Sequence, residues 1–446
     1  MNNSISARLE RLPVCWTHYR LLLIHGMGWL FDAMDVGIII FVLVALKSDW
    51  NLTAPQIGLA ASSGMAGMFV GAAVSGWAAD TFGRKRVFQW TLLIFTIFSF
   101  LCAASWNLTS LIIFRFFVGL GLGGELPVVS SLMSEFVPAK SRGRFIVLLE
   151  SFWAYGWLAA AIVSFLVIPN YGWRIAFLIA GVPAFYVWII RWKLPESPRW
   201  YQSQGRHEEA EAVVASLEED VSRSIKGPLP EVGPTLPSPE IAARGSSFKE
   251  LWSRPYIRRT VMLWILWFFL IFGYYGIFIW LPTLLVKAGF TMIRSFSYVL
   301  IITLAQIPGY FSAALLVDKV GRKWVISVYL LFSALAALFY GRAELPAQII
   351  FWGSIMAFFN LGAWGAVYTY TPELYPTRTR ASGVGFAASF GRLGGILAPI
   401  LVGLLLASIG TRGVMAMNAA ALAVAAIAVA VLGIETKGRT LEDISR

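Results

Sequence analysis

The chain has 446 residues, of which 58% are hydrophobic and only 13% charged, where soluble proteins carry roughly a quarter. That composition excludes a soluble enzyme or binding module and points to a protein embedded in lipid. The formal net charge is +12, but the basic residues gather on alternate loops rather than in one patch, which argues against a nucleic-acid partner.

Apolar runs of about 18 residues or more, the length that crosses a bilayer, recur from end to end. Twelve are predicted, at roughly 21–46, 56–79, 87–106, 108–134, 145–168, 173–193, 260–286, 296–317, 324–341, 347–371, 382–408 and 412–434. The first is too long for a signal-peptide core and lacks a small-residue cleavage site, so it is expected to be a retained span. With both termini placed in the cytoplasm, six basic residues fall outside: Lys47, Arg174, Lys287, Arg294, Arg342 and Arg412. Arg115 and Arg392 fall within spans, and the rest of the 36 Lys and Arg lie inside. This asymmetry is the positive-inside rule and sets the expected orientation. Cys15 and Cys102 fall on opposite sides of the membrane, so no disulfide is expected.

The chain also repeats itself. "DTFGRKR" at 80–86 recurs as "DKVGRKW" at 318–324, and "EFVPAKSRG" at 135–143 as "ELYPTRTRA" at 373–381, both at an offset of 238. The fold expected is therefore an all-α membrane protein with twelve transmembrane helices in two pseudo-symmetric six-helix bundles. The bundles are assigned to 1–194 and 257–446, with a cytoplasmic linker at 195–256. Parallel halves imply an axis along the membrane normal and a substrate site between them near the midplane. In the linker, Ala210, Val213, Val214 and Leu217 line one face of an amphipathic helix expected on the cytoplasmic surface. The proline-rich "GPLPEVGPTLPSPE" that follows is expected to be a tether.

These loops carry a resemblance. "GWAADTFGRKR" (76–86) and "ALLVDKVGRK" resemble the loop signatures of the major facilitator superfamily. "PESPRW" (195–200), "ETKGRTLED" (435–443) and "RFFVGLGLGGELP" (115–127) are similar to its sugar-porter branch. At finer grain, "FGYYGIFIWLP" (272–282), "SFWAYG" (151–156) and "GAWGAVYTYTPELYPTRTRASG" (362–383) resemble the bacterial niacin transporters, relatives of the synaptic-vesicle glycoprotein 2 proteins. The resemblance implies uptake of nicotinate or a similar small aromatic carboxylate by alternating access.

In the signature loops, Asp80 is expected to cap a neighbouring helix and Arg84 to pair with an acid across the interface between halves. Asp318 and Arg322 repeat that pair, and Glu135, Arg142, Glu373 and Arg380 complete the candidate gating set. Glu150, near the inner end of span five, is read as a gate or interfacial charge.

Intramembrane charges without a counterpart in the other half are better site candidates. Moving by 238 takes Asp32 to Leu270, Asp35 to Gly273, Arg115 to Gly353 and Glu125 to Ala363. A buried ionisable side chain costs roughly 3 kcal/mol on insertion scales, so it is expected to be paired or to line a cavity. Asp32 and Asp35 are either a structural partner for Arg115 or proton-coupling carboxylates, with Glu125 and His25 as further proton candidates. Arg115 offers a planar fork suited to a substrate carboxylate. Arg392, in a glycine-rich helix, either faces the cavity or serves packing.

The resemblance places aromatic candidates on spans that line the cavity of the superfamily: Trp153, Tyr274, Tyr275, Trp364 and Tyr368, with Asn360 and Gln306 as polar wall residues. A flat ring held between Trp153 and Trp364 is the expected arrangement. No metal-ligand spacing, P-loop or catalytic triad stands in a suitable context, so no cofactor is expected. The partners expected are a small molecule, protons and the bilayer, with the chain a monomer in a bacterial inner membrane. A sugar carrier, an organic-cation or drug exporter and a ligand-binding membrane protein without transport are the competing readings.

Overall fold

The computed structural model describes residues 5–181, 194–232, 248–375 and 377–437. Some side chains inside its helices, among them Asp80, Glu125 and Arg380, lie outside the described residues. The first half contains α1 (Ile5–Glu10), α2 (Trp16–Asp49), α3 (Ala54–Phe82), α4 (Arg84–Ala103), α5 (Leu108–Phe136), α6 (Ala139–Tyr171) and α7 (Trp173–Ala180). The linker holds α8 (Pro198–Ser203) and α9 (His207–Ile225), and α10 (Phe248–Leu251) precedes the second half. That half contains α11 (Ile257–Phe278), α12 (Leu281–Lys287), α13 (Met292–Leu304), α14 (Gln306–Val320), α15 (Arg322–Tyr340), α16 (Pro346–Glu373) and α17 (Thr377–Leu432). Among the described residues there are only helices, and nine are long and apolar enough to cross a membrane.

Local sequence chemistry sets many of the helix ends. Thr53 and Gln56 form a capping box ahead of α3, and the Asn107 side chain accepts from the Ser110 N–H at 2.8 Å to start α5. α3 and α14 end at Gly83 and Gly321, whose φ values of +100° and +112° favour glycine. Four predicted spans differ in detail. Span seven breaks between α11 and α12, where Pro282 has no N–H to continue the first helix. Span eight is divided into α13 and α14 at Ala305. Spans eleven and twelve meet inside α17 at a single non-helical residue, Gly410, without an intervening loop. Most of span six lies outside the described residues.

Within the first half α2 packs on α6 and α5 on α3 and α4; within the second, α17 packs on α11 and α15, and α16 on α14 and α15. The halves meet where α3 lies against α17 and α6 against α13. The α3–α17 seam relies on glycine, because a Cβ at Gly58 would overlap the Pro399 carbonyl and one at Gly403 the Ala54 carbonyl. Ser62 Oγ donates to the Ile396 carbonyl at 2.7 Å along it, and Phe41 meets Phe296 edge-on at 4.9 Å nearby. This contact lies towards the end of the molecule opposite the linker.

At the linker end, α9 buries Ala210, Val214, Leu217 and Val221, close to the face expected from its periodicity. That face is covered by protein, chiefly α1, α8 and α2. The short α1 is a feature the apolar pattern misses, and ion pairs fasten it. Arg8 and Arg11 reach Glu218 at 2.6 and 2.7 Å, and Arg20 reaches Asp220 at 2.7 Å. Of the proline-rich tether, residues 233 onwards lie outside the described residues.

Candidate functional site

Within the first half, the first group to settle is Arg115. Its Nη1 lies 2.6 Å from Asp35 Oδ2, and Ser99 Oγ donates to Asp35 Oδ1 at 3.0 Å. Arg115 is 3% exposed and Asp35 fully buried. Of the two acids three residues apart on α2, the structure pairs Asp35, and Asp32 is buried one turn away. The guanidinium proposed for a substrate carboxylate is thus already committed to an internal one. His25 Nδ1 donates to the Leu21 carbonyl at 2.7 Å while its ring stacks on Phe88 at 6.3 Å, so it is held within the first half.

Arg392 is placed differently. It is only partly buried on α17, and its Nη1 donates across the interface to the Met68 carbonyl at 3.2 Å. Its charge acts on the hydroxyls of Tyr368 and Tyr275, and among the described residues it has no carboxylate partner. A guanidinium with free donors beside two phenols is suited to an anion.

The aromatic candidates gather next to it. Trp364 stacks with Tyr368 at 5.8 Å and meets Tyr274 edge-on at 5.9 Å. Trp267, absent from the sequence candidates, contacts both Trp364 and Tyr368, at 5.8 and 5.3 Å. Tyr274 also contacts Tyr275 at 5.2 Å and Trp157, from the first half, at 5.4 Å. Trp153 differs from expectation. Its ring packs on Trp29 at 4.8 Å, and its indole approaches the Tyr274 hydroxyl. Tyr274 therefore lies next to both tryptophans, where an open sandwich between Trp153 and Trp364 was expected.

Buried polar atoms without partners mark where a ligand has bonds to gain. The Tyr274 hydroxyl, both amide atoms of Gln306 and the Trp364 Nε1 are such atoms. Gln306 and the Trp153 indole approach the Tyr274 hydroxyl, so α6, α11 and α14 bring polar groups to one place. Asn360 turns elsewhere: its Nδ2 donates to Ser333 Oγ at 3.4 Å, inside the second half. A surface cleft of about 300 Å³ lined by Tyr340, Arg342 and Arg412 is separate from this cluster.

The signature loops form two matching corners at the linker end. Arg84 Nη2 lies 3.0 Å from Glu135 Oε1, and Arg322 Nε lies 3.2 Å from Glu373 Oε2. Both pairs lie within one half, which corrects the expected pairing across the interface. Helix capping falls to acids of the later signatures. Glu196 accepts from the N–H groups of Arg84 and Lys85 at 3.0 and 3.1 Å, and Glu435 accepts from the Arg322 N–H at 2.9 Å. Ser197 bonds Glu135, and Thr436 Oγ1 donates to Glu373 at 2.5 Å, completing the match. The signal was present in the sequence as Glu-Ser after span six and Glu-Thr after span twelve, one residue off the 238 offset. Asp318 pairs with Arg322 at 3.0 Å from an exposed position, and Arg142 reaches Glu10 of α1 at 3.1 Å. Asp80, Glu125 and Arg380 lie outside the described residues.

Known proteins place this architecture. A family profile described as "Sugar (and other) transporter" matches residues 26–446. The "Niacin transporter NiaP" of Acinetobacter baylyi is 49% identical over 98% of this chain and 99% of its own. The "Putative niacin/nicotinamide transporter NiaP" of Bacillus subtilis is 46% identical over 95% and 98%. The Escherichia coli xylose transporter XylE, in a partially occluded inward-open conformation, superposes with a TM-score of 0.76 at 18% identity, covering 95% of this chain and 99% of its own. With two helical halves, an ion-paired first half and a profile match over nearly its whole length, the chain belongs to the sugar (and other) transporter family of the major facilitator superfamily.

Proposed function

We propose that this transporter takes up nicotinate, or a small aromatic carboxylate like it, together with a proton. It works by alternating access as a monomer in a bacterial inner membrane, with both termini cytoplasmic. The observation that carries the substrate reading is Arg392, a partly exposed guanidinium with no carboxylate partner among the described residues, set against an aromatic cluster. The carboxylate pairs with Arg392, and the ring lies among Trp364, Tyr368 and Tyr274. The ring nitrogen or the second carboxylate oxygen meets the hydroxyl of Tyr274 or the amide of Gln306. The names of the two relatives support the same substrate. A sugar would need several amides in the cavity, and Asn360 and Asn418 bond within their own half. The paired corners at the linker end, Arg84 with Glu135 and Arg322 with Glu373, brace the loops that rearrange when that end opens. Loop charge supports a cytoplasmic linker end.

Ligand-induced thermal stabilisation of the purified protein tests this. Nicotinate is expected to stabilise it and nicotinamide to do so less. A charge-assisted hydrogen bond contributes about 1.5–3 kcal/mol, so Arg392→Ala is expected to weaken nicotinate roughly 10- to 100-fold and leave nicotinamide nearly unchanged. Wild-type affinity in Arg392→Ala, or stabilisation by xylose in place of nicotinate, sinks the reading.

A further inference from the structure

One buried carboxylate is used by neither the ion pairs nor the substrate site. Glu150 lies on α6, three residues before Trp153 and so one turn from it on the same helix face. It is 5% exposed. Among the described residues it has neither a hydrogen bond nor a cationic partner. Tyr310 of α14 and Tyr368 of α16 face it, close enough for its charge to act on both hydroxyls. Both belong to the second half, whose helices α14 and α16 pack on α6, so Glu150 is a first-half acid presented across the interface. Tyr368 also senses Arg392, which puts one phenol between a lone acid and a lone base. The other titratable groups near α6 are His18, Tyr19, His25, Asp32 and Asp35 of α2, Arg115 and Tyr274: His18 and Tyr19 pack on Phe145, His25 bonds Leu21, Asp35 holds Arg115, Asp32 is buried near that pair, and Tyr274 packs on Trp157. None of these is a charge that acts on Glu150.

An isolated acid in this position is expensive as an anion and cheap as a neutral carboxyl. From the placement of Glu150 at the interface, buried and without a cationic partner among the described residues, we infer that it carries the coupled proton of transport. This rests on the proton-coupled reading above. On the side opposite the linker a hydronium ion gives up a proton, its O–H bond breaking as one forms at a Glu150 carboxylate oxygen. On the linker side that new bond breaks and the proton passes to water. While the carboxyl is neutral, an anionic substrate approaches Arg392 without a second negative charge facing it across Tyr368. Once the anion leaves, the proton leaves too, and the empty carrier returns with the acid and Arg392 opposite in sign.

Proteoliposomes test this with two transport modes. Counterflow of labelled nicotinate at equal pH needs no proton movement, whereas accumulation under an imposed pH gradient does. Glu150→Gln is expected to keep counterflow, lose accumulation so that the internal-to-external ratio falls to one, and bind nicotinate with no pH dependence. Glu150→Asp is expected to recover accumulation in part. Infrared difference spectra taken without substrate are expected to show a buried carboxyl band that titrates in the wild type, is missing in Glu150→Gln and is shifted in Glu150→Asp. Accumulation with the wild-type pH profile in Glu150→Gln overturns the proposal, as does loss of coupling in Asp32→Asn alone. Absent counterflow in the wild type removes the nicotinate reading, and the infrared titration then decides Glu150 by itself. Should Glu150→Gln not fold, an unshifted band and undiminished accumulation in Glu150→Asp count against it equally.

Discussion

Asp35 and Arg115 each place a full charge where water is absent, and the pair persists because each neutralises the other and Ser99 takes up the second carboxylate oxygen. Removing one partner leaves the other charge buried alone, a cost of about 3–5 kcal/mol. Asp35→Ala is therefore expected to lower the apparent melting temperature sharply. The volume-matched apolar pair Asp35→Leu with Arg115→Met recovers it, because desolvation consumes most of what the ion pair returns. Nicotinate uptake is expected to return along with stability, as befits a structural pair. A double variant that is stable yet unable to accumulate substrate would give the pair a coupling role instead. Which of two acids three residues apart would meet Arg115 was not legible in the sequence. Both lie on the buried side of α2, and only the relative placement of α2, α4 and α5 selects Asp35. Arg392 was legible as an intramembrane charge, but its lack of an acidic partner is a property of the assembled cavity.

The helices themselves were the most legible part, since a bilayer demands long apolar runs and the chain supplies them. Breaks inside an apolar run were less so. Pro282 hinted at one and Gly410 at another, yet hydropathy is blind to both. Where α3 meets α17 the decisive trait is the absence of side chains, and it suggests a test. Gly58→Leu forces a side chain into the Pro399 carbonyl, so the two helices are expected to stay apart at this end. A cysteine at Ser62, otherwise sheltered against Ile396, should then react rapidly with a membrane-impermeant maleimide. Unchanged labelling would mean that the seam closes around the added side chain.

For the molecule as a whole, α9 and α1 join the first half into a larger body. Burial alone would raise the Glu218 carboxyl, but the hydrogen bonds from Arg8 and Arg11 outweigh it and hold the group below the usual carboxylate range. A carboxylate held low stabilises the folded state above its ordinary range and loses that contribution as pH falls through the lowered value. Amide-exchange protection in α9, taken relative to the intrinsic rate at each pH, is therefore expected to be flat from about pH 5 upwards and to fall below about pH 4, near the reference value for Glu. Glu218→Gln should remove that pH dependence, and an unaltered profile would assign the transition to other groups. The two corners capped by Glu196 and Glu435 carry a last consequence, which concerns ancestry. Each acid follows the sixth span of its half and reaches back to the start of the third. What was duplicated is therefore six spans together with a short trailing strap, and each copy came with the means to tie its own ends together. The strap of the first copy now leads into the linker, and that of the second closes the bundle after the last span.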